Sequence, residues 1–162
     1  MSASIDRRSL VRIGLATMAS MPIFLAMPHI ARAAGAGRGI VHRDPSCGCC
    51  EGWIAHMQAN GFELDIRDAV DLSAEKARLG VPAPLQSCHT AEIGGYVIEG
   101  HVPAEDVKRL LSDKPQGIGL AVPGMPVGAP GMEMGDQIDP YRVLLWDGSG
   151  QARIFAVYGV PV

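Results

Sequence analysis

Three of the chain's four cysteines fall within four residues, Cys47-Gly48-Cys49-Cys50. Thiolate sulfur is a soft, polarisable donor, so a cluster this dense favours Cu(I), Zn(II) or an iron–sulfur centre and discriminates against calcium and magnesium. Cu(I) needs the least forcing, because it accepts two or three thiolates, tolerates bridging sulfur and also takes thioether donors. Cys47, Cys49, Cys50 and the distant Cys88 are therefore the expected copper ligands, with His89, Met125 and Met132 as further donors. Zinc would require a tetrahedral set such as Cys47, Cys50, Cys88 and His89, at a spacing unlike the usual zinc fingers. An iron–sulfur centre fares no better, since Cys-x-Cys-Cys matches neither common ferredoxin pattern.

Two other chemistries compete. In thiol–disulfide exchange Cys47 would be the exposed nucleophile and Cys50 the resolving thiol of a Cys-x-x-Cys pair, which leaves Cys49 surplus. In a structural scaffold the four cysteines would form two disulfides, but a Cys49–Cys50 bond is strained and a Cys47–Cys49 loop is too small to stabilise much. The remaining candidates have plainer readings. His101 reads as a local hydrogen-bonding residue at a turn, His42 either as lining the site or as a polar residue of an edge strand, and Trp53 as core packing beneath the cysteines.

The thiols must be held by local structure. Gly39-Ile40-Val41 reads as a short strand before them, and residues 51–60 as a helix with Trp53, Ile54 and Met57 on its apolar stripe and Gly61 as its stop. That order puts sulfur at a helix N-terminus, where free N–H groups and the macrodipole favour thiolate. The strict alternation of residues 62–67 predicts a half-buried strand. Residues 72–80 read as a short helix capped by Ser73 and stopped by Gly80, and Val81-Pro82-Ala83-Pro84 breaks regular structure. Two strand-like runs around Gly94-Gly95 predict a β-hairpin, and Pro103 opens a helix with Val107, Leu110 and Leu111 inward. Residues 117–135 look too rich in Gly and Pro for a helix or a central strand and read as a long loop carrying Met125, Met132 and Met134. A second hairpin, residues 141–146 and 152–158, closes the chain. The sequence thus predicts an α/β, thioredoxin-like single domain with a C-terminal hairpin extension, in which a proline-flanked segment brings Cys88 and His89 beside Cys47, Cys49 and Cys50.

Residues 1–33 combine Asp6, Arg7, Arg8 and Arg12 with an apolar stretch and an Ala31-Arg32-Ala33 cleavage site. This is the pattern of a signal peptide, and the paired arginines point to twin-arginine export, although Asp6 and Leu10 depart from the commonest form of that motif. The alternative of an uncleaved membrane helix is weakened by Gly14, Pro22 and Pro28. Residues 34–162 would then be a periplasmic domain, free of the membrane, with 10 Lys and Arg against 16 Asp and Glu, a net charge of −6. Such an acidic surface argues against nucleic acid as a partner.

Four separated motifs carry a resemblance: Asp44-Pro45-Ser46-Cys47-Gly48-Cys49-Cys50, Cys88-His89-Thr90, the run from Gly95 to Pro103, and Val122-Pro123-Gly124-Met125-Pro126 with Pro130-Gly131-Met132-Glu133. In that order they resemble a domain-of-unknown-function family of periplasmic metal-binding proteins, among them CopG-type proteins associated with copper resistance. The likeness extends from about Gly39 to Tyr158, and Ala129 stands where members often carry Ser. It implies a thioredoxin-like fold, a cell-envelope location, copper handling by the Cys-x-Cys-Cys turn with the later cysteine, and other envelope copper-handling proteins as partners.

Overall fold

The computed structural model describes residues 36–160. The signal-peptide pattern in residues 1–33 lies outside the described residues.

Seven strands form one mixed sheet in the order β2-β1-β3-β4-β5-β6-β7. Strand β1 (Gly37–Arg43), helix α1 (Gly48–Ala59) and strand β2 (Phe62–Asp68) make the expected strand–helix–strand unit, with β1 and β2 parallel. Helix α2 (Leu72–Arg78) and a 3-10 turn (Ala83–Leu85) lead to β3 (His89–Ile93), which pairs antiparallel with both β1 and β4 (Tyr96–Glu99). Helix α3 (Ala104–Asp113) crosses to β5 (Gly119–Ala121), which runs parallel to β4. Strands β6 (Tyr141–Trp146) and β7 (Ala152–Tyr158) follow as an antiparallel pair.

Alternation along the strands sorts side chains onto the two faces. Ile98, Leu120 and Leu145 join Trp53, Ile54 and Met57 of α1 and Val107 and Leu110 of α3 in the main core. Their neighbours Val97, Ala121 and Trp146 turn the other way, against Val81 and Leu85. Each large side chain buried in this way contributes about 1.5–3 kcal/mol.

Four local readings need correction. The stretch from 117 was read as loop throughout, yet β5 occupies Gly119–Ala121 in the middle of the sheet. The glycine that argued against a strand is what permits it: a Cβ on Gly119 would overlap the Val97 carbonyl oxygen and lie 2.7 Å from the Trp146 ring. Helix α1 begins at Gly48, not near Glu51, so Cys49 and Cys50 lie in its first turn and Cys47 is the N-cap residue. Helix α2 is capped by Asp71, whose side chain accepts the Ala74 N–H at 3.0 Å, where Ser73 was expected. An aspartate one residue before the helix can reach that N–H, whereas Ser73 is already inside it. Finally, the run from Gln86 becomes a strand only at His89, which leaves Ser87 and Cys88 in an irregular lead-in.

Candidate metal centre

The thiol turn is built by short-range hydrogen bonds. Asp44 Oδ1 accepts from the Ser46 N–H at 2.7 Å and from the Ser46 hydroxyl at 2.6 Å, and the Cys47 N–H donates to the Asp44 carbonyl at 3.1 Å. These bonds hold the Asp44 carboxyl below its usual range. Cys47 keeps an extended backbone, and its side chain makes no capping bond.

Cys47 and Cys50 are joined by a disulfide, whereas Cys49 and Cys88 are free thiols. Cys49 Sγ lies 3.4 Å from Cys47 Sγ and 3.6 Å from Cys88 Sγ, so the residue that looked surplus in an exchange pair is the one that touches the distant cysteine. All four sulfur atoms lie within 4.8 Å of one another. Cys50 is fully buried, and the other three are partly exposed.

A second group shares Cys88. Its Sγ lies 3.4 Å from His89 Nδ1 and 3.1 Å from His101 Nε2. The three ligand atoms of Cys88, His89 and His101 also fit within 4.8 Å. His89 can turn toward Cys88 because Cys88 precedes the regular strand, where strict alternation of side chains would otherwise separate neighbours. His89 is wholly buried, its ring centroid is 4.5 Å from that of Trp53, and its Nε2 has no hydrogen-bond partner. His101 was expected to do no more than make a local hydrogen bond. It does make one, with Nδ1 2.8 Å from the Pro130 carbonyl oxygen, but it also reaches the thiol. A carbonyl can only accept, so Nδ1 carries the proton and Nε2 is left as the lone-pair nitrogen facing Cys88.

That contact was countable from the sequence. A two-residue hairpin centred on Gly94-Gly95 pairs Ile93 with Tyr96 and Thr90 with Glu99. Two more steps along the same register bring Cys88 opposite His101.

The electrostatics favour neutral forms on this side of the site. Burial pushes the Cys88 thiol up to about 12, and neighbouring Cys49 adds to the shift. Burial drives His89 well below its ordinary value, helped by His101 and by Lys76. Burial also lowers His101, partly offset by the hydrogen bond to Pro130. A bound cation reverses this logic for thiols, since coordination stabilises the thiolate outright.

The methionine loop approaches the site with its backbone, through the Pro130 carbonyl at His101 and Gly131 at α1. Gly131, at φ +84°, sits so close to α1 that an added Cβ would lie 2.5 Å from Trp53 N and 2.7 Å from the Cys49 carbonyl oxygen. A Cβ on Gly52 would lie 2.8 Å from Gly131 Cα. Met132 packs against the main core cluster, while Met125 is 54% exposed. His42 is buried with Nε2 3.1 Å from Glu92 Oε1, and it lies on β1, an interior strand flanked by β2 and β3, rather than on an edge strand. Trp53 is fully buried and donates its indole N–H to the Val102 carbonyl at 2.9 Å.

A family model described as "Protein of unknown function, DUF411" matches residues 85–132. A solved structure described as copper resistance protein copG, form 2, is 50% identical, covers 76% of this chain and 98% of its own, and superposes with a TM-score of 0.73. A second, described as form 1 of that protein, is 52% identical over 75% of this chain and 96% of its own, with a TM-score of 0.72. No curated protein matches the chain.

Proposed function

Because the chain belongs to the DUF411 family of copper-resistance type, we propose that it is an exported copper-handling protein that holds Cu(I) on thiolate sulfur. The observation that carries this reading is the convergence of Cys47, Cys49, Cys50 and Cys88 within 4.8 Å, from two segments 39 residues apart. Four soft donors around one point suit a soft cation, and His101 and His89 extend the set from Cys88. Met125 and Met132 supply thioethers on the methionine loop.

Loading requires the Cys47–Cys50 disulfide to be open. An external dithiol that leaves as its own disulfide supplies the two electrons and two protons that turn this bond into two thiols, and binding then releases protons as the thiols become thiolates. Cys47, Cys49 and Cys50 stand at the N-terminus of α1, an end whose free N–H groups suit negative charge nearby. Buried, uncharged His101 presents a lone pair without first losing a proton.

The parallel β1–α1–β2 unit, the β3–β4 hairpin and α3 reproduce the strand order β2-β1-β3-β4 of a thioredoxin-like core, which supports assigning that fold. Among the described residues no helix is long and apolar enough to cross a membrane. Export rests on the paired Arg7 and Arg8 and the Ala31-Arg32-Ala33 site, and it places the protein in the periplasm alongside other copper-handling proteins. One observation favours a metal-free thiol–disulfide oxidoreductase: Cys47 and Cys50 already form a disulfide at a helix N-terminus.

The test is anaerobic. The exported protein, reduced and titrated with Cu(I) against a chromogenic chelator, is expected to take up copper while its thiols become unreactive to Ellman's reagent. Reduced protein that takes no copper yet reduces insulin disulfides would replace the copper reading with the oxidoreductase.

A further inference from the structure

A charged pair, in contact through Glu99 with the segment that leads into Cys88, is sealed into the protein. Lys76 of α2 is 4% exposed and Glu99 at the end of β4 is fully buried. Lys76 Nζ donates to Glu99 Oε1 at 2.5 Å and to Thr90 Oγ1 at 2.7 Å, and the Thr90 hydroxyl donates to Glu99 Oε2 at 2.5 Å. Burying such a pair is costly, and apolar residues of similar volume often serve stability as well or better. The pair therefore invites an explanation beyond packing.

Its remaining bond supplies one. Glu99 Oε1 also accepts the Ser87 backbone N–H, at 2.6 Å. Ser87 lies in the irregular lead-in before β3, where no strand ladder fixes the backbone. Its hydroxyl donates to the Gly124 carbonyl at 2.5 Å, and on its flank Gly100 leaves no room for a side chain, since a Cβ there would lie 2.5 Å from Ser87 Cβ. The residue held on these sides is the one immediately before Cys88, whose sulfur meets Cys49 and His101.

We propose that the Lys76–Glu99 pair is a positioning device for Cys88: Glu99 anchors the Ser87 N–H, Lys76 makes that buried carboxylate tolerable, and together they set the Cys88 sulfur against Cys49 and His101. The placement of the thiol stands on geometry alone. Its consequence for copper rests on the function proposed above, so the test reads both separately.

Two charge-balanced double variants of the full chain separate anchoring from charge. Lys76→Met with Glu99→Gln removes both charges but keeps an oxygen for the Ser87 N–H. Lys76→Met with Glu99→Leu removes the oxygen too. In reduced, metal-free protein, alkylation with iodoacetamide is followed at Cys88 and Cys49 by peptide mass. The Leu variant is expected to raise the Cys88 rate about tenfold relative to Cys49 and to weaken Cu(I) binding about tenfold or more, while the Gln variant stays within about threefold of the parent on both measures. Equal Cys88 reactivity in the two double variants overturns the proposal. If the Leu variant shows no cooperative thermal transition, Glu99→Asp replaces it, because the shorter side chain withdraws the acceptor while keeping the charge. Unchanged Cys88 reactivity in Glu99→Asp then overturns the proposal. A parent protein that binds no Cu(I), with Cys88 reactivity still following the Gln and Leu pattern, supports the positioning role and removes the copper function instead.

Discussion

The two halves of the site are made in opposite ways. The helical half, Cys47, Cys49 and Cys50, occupies the N-cap and first turn of α1, with Cys47 and Cys50 joined by a disulfide and Cys49 a free thiol. The sheet half, Cys88, His89 and His101, is held neutral by burial, with the thiol shifted up and both imidazoles shifted down. One half is closed by a redox-labile bond and the other is shielded by burial. Copper that bridges the two would draw its charge compensation from the helix side and its rigidity from the sheet side, so neither half alone should hold the ion as tightly.

The sharpest way to break that division is Cys88→Ser, which removes the one atom common to both groups. We expect Cu(I) affinity to fall about a hundredfold or more, since loss of a ligand should exceed the 10–100-fold typical of supporting residues. A chelator competition measures it, and a lowered melting temperature with unchanged affinity would reduce Cys88 to core packing. His101→Ala should weaken binding less, about tenfold, because it strips only the sheet half of one donor.

Gly131→Ala attacks the helical half without touching a thiol. The left-handed backbone at φ +84° costs a non-glycine residue about 1–2 kcal/mol, and the contacts with Trp53 N and the Cys49 carbonyl add to that. A drop in melting temperature of roughly 5 °C or more is expected by calorimetry.

The pH dependence of stability tests the sheet half in the absence of metal. His56, His89 and His101 all titrate below 6.5 in the folded protein. Below that pH the unfolded chain binds more protons than the folded one, so stability should fall as the solution is acidified from neutrality. Protonation of His56 would also cost α3 its cap, since His56 Nε2 accepts the Ala104 N–H at 3.1 Å. Cys88 acts at the alkaline end: the unfolded thiol ionises near 9.0 and the folded one only near 12, so stability should decline across that interval. Reduced protein melted between pH 5 and pH 10 should show a maximum near neutrality, and a flat profile would contradict the buried, neutral sheet half.

The smallest effect is expected for Met125→Leu. The side chain is 54% exposed, so its thioether would be a peripheral donor: Cu(I) affinity should fall by about twofold, and an unchanged affinity would remove Met125 from the ligand set.

How far the sequence could be read depended on the kind of signal. Alternating and helical periodicity located the β1–α1–β2 unit and the β3–β4 hairpin, because burial of one face leaves a repeat that can be counted. The hairpin register even contained the Cys88–His101 contact, which went unread because His101 was judged by its own neighbours in sequence. Strand β5 was missed for a different reason. Glycine is normally a weak strand former, and only the close approach of Val97 and Trp146 makes it the residue that fits. The Lys76–Glu99 pair gave no signal at all, since a lysine on a short polar helix reads as solvated until the fold buries it.

The chain has two tryptophans, and the fold gives them different surroundings. Trp53 lies against His89 at the edge of the thiol cluster, whereas Trp146 is sealed in the smaller core on the opposite face of the sheet. Indole emission responds to the charge and ligation of an imidazole in ring contact, so Trp53, 4.5 Å from His89 between ring centroids, should dim or shift as the cluster is loaded. Trp146, shielded by the sheet, supplies a steady background. The protein thus carries its own optical gauge of the site, with an internal reference, and Trp146→Phe would isolate the responsive signal without a dye.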